Sequence, residues 1–415
     1  MDYFIQILTF ILIISILVVL HELGHYIPAK YFKTKVEKFY LFFDVKFSLF
    51  KKKIGETEYG IGWLPLGGYV KIAGMIDESM DTEQLKKDPE PWEFRSKPAW
   101  QRLIIMLGGV TVNFFLAWLI YSGLFYTVGD RYIPASNIKH GILVDSIGER
   151  IGLRTGDQIL EIDGKKTKKF DDAMIDILLG DNITVDRNGE KITFPIPEEG
   201  IRDVLGAKGR RFLSYRTLWV VDTVIPGKPA ENAGISANKS LSITLERDGL
   251  EKTIDVRVGE DGAIGVGPKI EDISITDDYT LLASIPAGFT ETINVLTKQI
   301  KQFKIIFKPK TEAYKAVRGP IGIVDMMPAS WDWMFFWSFL AMFSVWLAFV
   351  NLLPIPALDG GHVMFLLYEM ISGRAPSEKV LERGQIIGFV IIMSLMAVIF
   401  GHDIWVLIQE KILNK

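Results

Sequence analysis

His21-Glu22-Leu23-Gly24-His25 brings together the side chains of a metal-dependent hydrolase at a workable spacing. Residues four apart on an α-helix share a face, so two imidazole nitrogens can reach one zinc ion. The carboxylate beside them can then serve as general base. The chain has five histidines and no cysteine, which excludes disulfides and a thiolate site and leaves His, Asp and Glu as ligands. A zinc ion held by two histidines needs a further protein ligand and an open position for water. The segment Asn351-Leu352-Leu353-Pro354-Ile355-Pro356-Ala357-Leu358-Asp359-Gly360-Gly361-His362 supplies a candidate. Two prolines break an apolar helix, two glycines permit a tight restart, and Asp359 stands between them. Alone, an Asp before Gly-Gly reads as a turn residue; at the end of an apolar helix it becomes the expected third ligand. His140, His362 and His402 have no partner spacing and are read as structural or surface residues.

The elements that must position these groups are apolar helices. Tyr3–Leu20 carries no charge and runs directly into His21. About twenty helical residues cross roughly 30 Å of hydrocarbon, and ionisable groups in such a helix mark function. The run lacks a basic leader and a small-residue cleavage site, so it reads as an anchor rather than a signal peptide. Three further apolar blocks follow: Leu103–Val128, Trp333–Leu353, and Ile386–Phe400 extended by Ile404–Ile408. Trp and Tyr gather near several of their ends, as in an interfacial belt. The composition is 49% apolar yet 23% charged, so water-exposed parts accompany the membrane blocks, and a net charge of −3 points to no nucleic-acid partner.

The loop Tyr26–Gly55 carries Lys30, Lys33, Lys35, Lys38, Lys46, Lys51, Lys52 and Lys53 against Glu37 and Asp44. The positive-inside rule puts it in the cytoplasm, with the N-terminus, the long segment from Gly129 to about Trp331 and the C-terminus outside. Tyr59–Met75, with Gly60, Gly62, Gly67, Gly68 and Gly74 among large apolar residues, is expected to be a hairpin dipping toward the membrane that offers an edge strand to an extended peptide. An ordinary surface hairpin is the competing reading.

The external segment repeats itself. Ile183-Thr184-Val185-Asp186-Arg187-Asn188-Gly189 matches Ile243-Thr244-Leu245-Glu246-Arg247-Asp248-Gly249, and Ile151-Gly152-Leu153 matches Ala233-Gly234-Ile235. The first copy continues Arg154-Thr155-Gly156-Asp157-Gln158-Ile159 to Gly164 and resembles PDZ domains. Gly141–Val144, with Ile142 as a peptide contact, and the helix Phe170–Leu179 would flank its groove. The second copy has far fewer residues between its two matching pieces and would lack the groove helix. The domains expected are 1–128, 129–200 (PDZ-like), 201–275 (truncated PDZ-like), 276–332 (linker with an amphipathic surface helix, Phe289–Phe307) and 333–415. The fold class is thus a multi-pass α-helical membrane protein with four transmembrane helices and an inserted extracytoplasmic α+β, PDZ-like region.

HELGH, the glycine-rich stretch, Gly109 to Asn113, the PDZ-like region, Gly319-Pro320-Ile321-Gly322-Ile323 and NLLPIPALDGG together resemble the site-2 protease family. Within it they resemble the RseP-like bacterial regulators of sigma-factor stress signalling. Two departures are Gly109-Val110 where the family has Gly-Pro, and the short second repeat. The resemblance implies an intramembrane zinc metalloprotease of the bacterial inner membrane. It would cut single-pass membrane proteins, such as anti-sigma factors and signal-peptide remnants, after a site-1 protease has trimmed them. It implies one zinc on His21, His25 and Asp359, Glu22 as base, and substrate contacts from Asn351, Asn113, Gly67 and Gly68; helix packing is the competing role for the asparagines. The PDZ-like module is expected to act as a size filter. Other readings are a CAAX-processing or HtpX-type membrane metalloprotease, a PDZ-bearing scaffold without catalysis, and a transporter with broken helices.

Overall fold

The computed structural model describes residues 2–65, 67–75, 88–207, 211–216, 219–227, 240–241, 266–268 and 272–409. The chain begins with α1 (Asp2–Tyr31), four strands β1 (Val36–Leu41), β2 (Phe43–Ile54), β3 (Thr57–Leu64) and β4 (Tyr69–Ile72), and α2 (Ala99–Val128). There follow β5 (Asp130–Tyr132), β6 (Ile142–Val144), α3 (Ser146–Ile151), β7 (Gln158–Ile162), β8 (Lys165–Lys166), α4 (Phe170–Leu179), β9 (Asn182–Arg187), β10 (Glu190–Pro195) and α5 (Glu198–Gly206). Short strands β11 (Leu213–Tyr215), β12 (Trp219–Val224), β13 (Ser240–Leu241), β14 (Val266–Pro268) and β15 (Ile275–Asp277) lead to the last helices. These are α6 (Leu281–Ile306), α7 (Pro320–Asp325), α8 (Trp333–Asn351), α9 (Asp359–Ser372) and α10 (Glu378–Ile408). The chain divides into two units, residues 1–129 with 278–303 and 317–415, and residues 130–277 with 304–316.

In the first unit, four helices among the described residues are long and apolar enough to cross a membrane: Tyr3–Tyr31, Ala99–Val128, Trp333–Asn351 and Lys379–Ile408. The chain is accordingly a membrane protein. Helix α1 continues through the HELGH motif and past Pro28 to Tyr31. Ile13 and Leu17 of α1, Ala117 of α2, and Phe336, Leu340 and Val345 of α8 share one buried cluster. Asp332 starts α8 by accepting the Phe335 N–H at 2.9 Å, which satisfies a donor that the first turn leaves without a helical partner. The helix stops at Asn351, just before Pro354 and Pro356.

The sheet between α1 and α2 has the order β2-β3-β1-β4, with β1 parallel to β3 and the other pairs antiparallel. This corrects the expected Tyr59–Met75 hairpin. Strand β1 lies between β3 and β4, so the glycine-rich loop straddles it, and the true hairpin is β2–β3, turning at Gly55 with φ +62°. Alternating glycine and apolar residues report a strand but not its partner. The edge strand expected from this stretch is β4, which among the described strands pairs with β1.

Helix α6 covers most of the stretch expected to be an amphipathic helix. It packs on α2, where Trp118 donates to the Ile285 carbonyl at 2.8 Å and Phe289 meets Phe114 and Trp118. Further along, Gln299 donates to the Met342 carbonyl of α8 at 3.2 Å, and Phe303 meets Phe349. Part of its apolar surface is thus covered by two membrane-length helices, while Leu282, Phe289, Ile293 and Ile300 remain exposed; an amphipathic pattern fits either partner.

The second unit is built on the sheet β10-β9-β7-β8, with β6 pairing β11 and β5 pairing β15. Its core joins Ile142, Val144, Ile151, Leu153, Ile159, Ile177, Ile183 and Val185 to Ile201, Val204, Phe212 and Leu213. The expected boundary at residue 200 therefore runs through one core. Asp157 of the Gly-Asp pair is 1% exposed; it accepts the Arg154 N–H and binds the Arg187 guanidinium with both oxygens, at 2.8 Å. The second copy's matching pieces, Ala233–Ile235 and Ile243–Gly249, lie outside the described residues.

Candidate metal centre

His21 and His25 stand one turn apart on α1, both buried, and turn toward α2. Helix α2 meets them with glycine. A Cβ on Gly109 would lie 2.4 Å from His25 Nε2 and 2.6 Å from His21 Cε1. One residue earlier the two backbones touch: a Cβ on Gly24 would lie 2.4 Å from the Gly108 carbonyl oxygen, and one on Gly108 1.9 Å from that of Gly24. Small residues are what allow membrane helices to approach so closely. The Leu-Gly inside HELGH and the Gly-Gly of α2 are thus two halves of one crossing, a signal that lay in the sequence and that the motif alone does not interpret.

Asp359 arrives from the break between α8 and α9. Its neighbours hold the turn tight: a Cβ on Gly360 would lie 2.3 Å from the Leu353 carbonyl oxygen, and one on Gly361 2.3 Å from Pro356 Cα. The carboxylate Oδ2 lies 3.3 Å from His21 Nε2 and 3.2 Å from His25 Nε2, and the two Nε2 atoms are 3.3 Å apart. Among the described residues, these three form the group whose ligand atoms gather within 4.8 Å.

This triangle fits zinc. Four ligands at 2.0–2.2 Å in tetrahedral array are separated by about 3.3–3.6 Å. The donor chemistry agrees. His25 Nδ1 is 2.9 Å from the Ile105 carbonyl oxygen, which can only accept, so the proton is on Nδ1 and Nε2 presents a lone pair. Asp359 Oδ2 is buried with no hydrogen-bond partner. Lone pairs aimed at one another across 3.2 Å repel unless a cation lies between them. His21, His25 and Asp359 can therefore hold zinc, with the fourth position left open.

Glu22, next to the first ligand, lies near the backbone N–H of Val70 in β4. Gly68, just before β4, sits against α1, where a Cβ would lie 2.6 Å from Val18 Cγ1 and 2.6 Å from the Tyr40 carbonyl oxygen. Gly67 has φ +152° and lies over the Phe43 ring. Both glycines let the chain enter β4 close to α1. The Val70 contact escaped the sequence because a backbone donor leaves no mark there.

The two asparagines part company. Asn351 ends α8 with its amide nitrogen 3.1 Å from His21 Nε2, a donor on the ligand side of the ring. Asn113 is 0% exposed and lies against the opposite nitrogen, Nδ1, at 3.1 Å. The expectation that Asn113 contacts substrate is corrected, since no surface of it remains to be touched. Ile142 is likewise not a groove residue. It is 1% exposed in the second unit's core, and its N–H and carbonyl are taken by Asp157 and Gly156. His140, His362 and His402 stay outside the cluster.

The comparisons agree with the chemistry. The family model described as Peptidase family M50 matches residues 9–395. Proteins that carry zinc metalloprotease names are similar along nearly the whole chain. One from Rickettsia conorii is 30% identical over 410 residues, covering 96% of this chain and 98% of its own length. One from Clostridium perfringens is 30% identical over 396 residues, 95% and 97% of the two chains. One from Neisseria meningitidis serogroup A is 28% identical over 451 residues, 96% and 98%.

Proposed function

The chain belongs to peptidase family M50 and is a zinc metalloprotease, and from that premise we propose that it cuts single-pass membrane proteins inside the membrane, as site-2 proteases do. The observation that carries this reading is the place of the ligands. His21 follows eighteen uncharged residues of a membrane-length helix, and Asp359 follows another such helix, α8. A peptide bond reaching this triangle must come from the hydrocarbon side or its boundary.

In this proposal His21, His25 and Asp359 hold the zinc. Bound there, zinc supplies Lewis acidity toward the scissile carbonyl and lowers the pKa of a water. Glu22 takes the proton of the attacking water and passes it to the departing peptide nitrogen. The Val70 N–H orients the Glu22 carboxylate for both transfers. The Asn351 amide, beside His21 Nε2, donates to the substrate carbonyl oxygen. A membrane helix keeps its carbonyls in internal hydrogen bonds, so the substrate must unwind first. The edge of β4 away from β1 offers the unwound strand backbone partners next to Glu22.

The residues 130–277, PDZ-like in sequence, act as a size filter, so that substrates are cut after prior trimming on the extracytoplasmic side. Orientation follows the lysine-rich loop, with β1–β4 cytoplasmic in a bacterial inner membrane. The experiment is metal analysis paired with cleavage of a purified single-pass substrate in detergent or liposomes. One zinc per chain is expected, lost in His21→Ala and Asp359→Ala together with cleavage, whereas Glu22→Gln keeps zinc and loses cleavage. Full zinc in Asp359→Ala would move the third ligand elsewhere.

A further inference from the structure

His25 has its Nδ1 proton fixed by the Ile105 carbonyl, and the same logic makes a demand on His21. To present Nε2 to zinc, the ring of His21 must carry its proton on Nδ1 and needs an acceptor there. The group beside that nitrogen is the Asn113 side chain, with Nδ2 at 3.1 Å. In that orientation the amide nitrogen donates to Nδ1, which forces the proton onto Nε2 and into the ligand triangle. Meanwhile Asn113 Oδ1 is buried without a hydrogen-bond partner. The fault at the ring vanishes when the amide is turned by 180°, and Oδ1 then gains a donor; the two ends of an amide are nearly the same in shape and are assigned from their partners.

We infer that Asn113 is a positioning residue for the metal: its Oδ1 accepts the Nδ1–H of His21, fixing the tautomer that leaves Nε2 free for zinc. The inference rests on the ligand set proposed above. The backbone at this point of α2 is fixed against α8, because the Asn113 backbone carbonyl accepts the Ser344 hydroxyl at 2.7 Å. Ile105 and Asn113 both belong to α2, so one helix supplies the Nδ1 acceptor of both histidine ligands. Neither acceptor needs to touch substrate.

The test is zinc affinity of the full-length chain, purified in detergent, by competition with a chromophoric chelator. Asn113→Ala and Asn113→Leu should bind zinc roughly 10- to 100-fold more weakly, the usual cost of removing an outer-shell partner. Asn113→Asp, which restores an acceptor, should recover most of the affinity. A packing role predicts the reverse ranking, with the nearly isosteric leucine tolerated and a buried carboxylate harmful, and that ranking would overturn the inference. If the alanine variant fails to fold, the leucine and aspartate pair still decides. His21→Ala is measured alongside. Zinc retained there would sink the ligand assignment itself; zinc lost there but bound at full strength by both Asn113→Ala and Asn113→Leu would sink this inference alone.

Discussion

Gly109 carries as much of the site as any ligand, because it is the floor on which both imidazoles rest. An added methyl group would stand 2.4 Å from His25 Nε2, the atom that faces the metal, and relieving it means displacing the imidazoles or parting the close contact of Gly24 with Gly108. Gly109→Ala should therefore lose zinc while keeping its helical content, read by metal analysis and circular dichroism; full zinc would show that the crossing has slack the geometry does not display. At this scale the sequence was legible where the chemistry is local. The His21, Glu22 and His25 spacing needs only a helix, and Asp359 announces itself by the prolines and glycines that break one. Asn113 and Ile105 were not legible in these roles. Which residue of α2 faces which ring nitrogen depends on the rotation of one helix against another, and a backbone acceptor such as Ile105 has no residue type at all.

Strand β4 is the element that ties the sheet to the chemistry, since its Val70 N–H reaches Glu22 while its partner β1 occupies only the other edge. Val70→Pro removes that donor and keeps a φ that an edge strand tolerates. A hydrogen bond to a charged group contributes about 1.5–3 kcal/mol, so cleavage should slow by roughly ten- to a hundredfold, with zinc content unchanged. An unaltered rate would remove β4 from the mechanism. The four apolar helices were read correctly from hydropathy because length and lack of charge decide them. The pairing of β1 with β4 across the glycine-rich loop, and the packing of α6 on α2 and α8, were not. Glycine alternation and amphipathicity state that a face must be covered without naming what covers it. The core of the second unit shows the same limit: Phe212 and Leu213 join it from beyond the end of the repeat.

For the whole molecule the proposal fixes sides as well as chemistry. Single cysteines placed at the exposed Lys52 of β2 and Lys166 of β8, in a chain that has none of its own, should react with a membrane-impermeant thiol reagent from opposite sides. Lys52 is expected to label only after the cytoplasm is opened and Lys166 in intact cells; the reverse pattern would invert the topology. Deleting residues 130–277 should allow untrimmed substrates to be cut if that region is a filter, and a variant equally inactive on trimmed and untrimmed substrate would deny it that role. The central claim, hydrolysis within the membrane by the centre at His21, His25 and Asp359, is tested most directly by mapping the cut. A single-pass substrate reconstituted in liposomes with the purified enzyme is digested, and the new termini are read by mass spectrometry, with Glu22→Gln as control. The account predicts one cut inside the substrate's apolar span, absent with Glu22→Gln. Cuts confined to the water-exposed flanks, or an unchanged cut with Glu22→Gln, would contradict it.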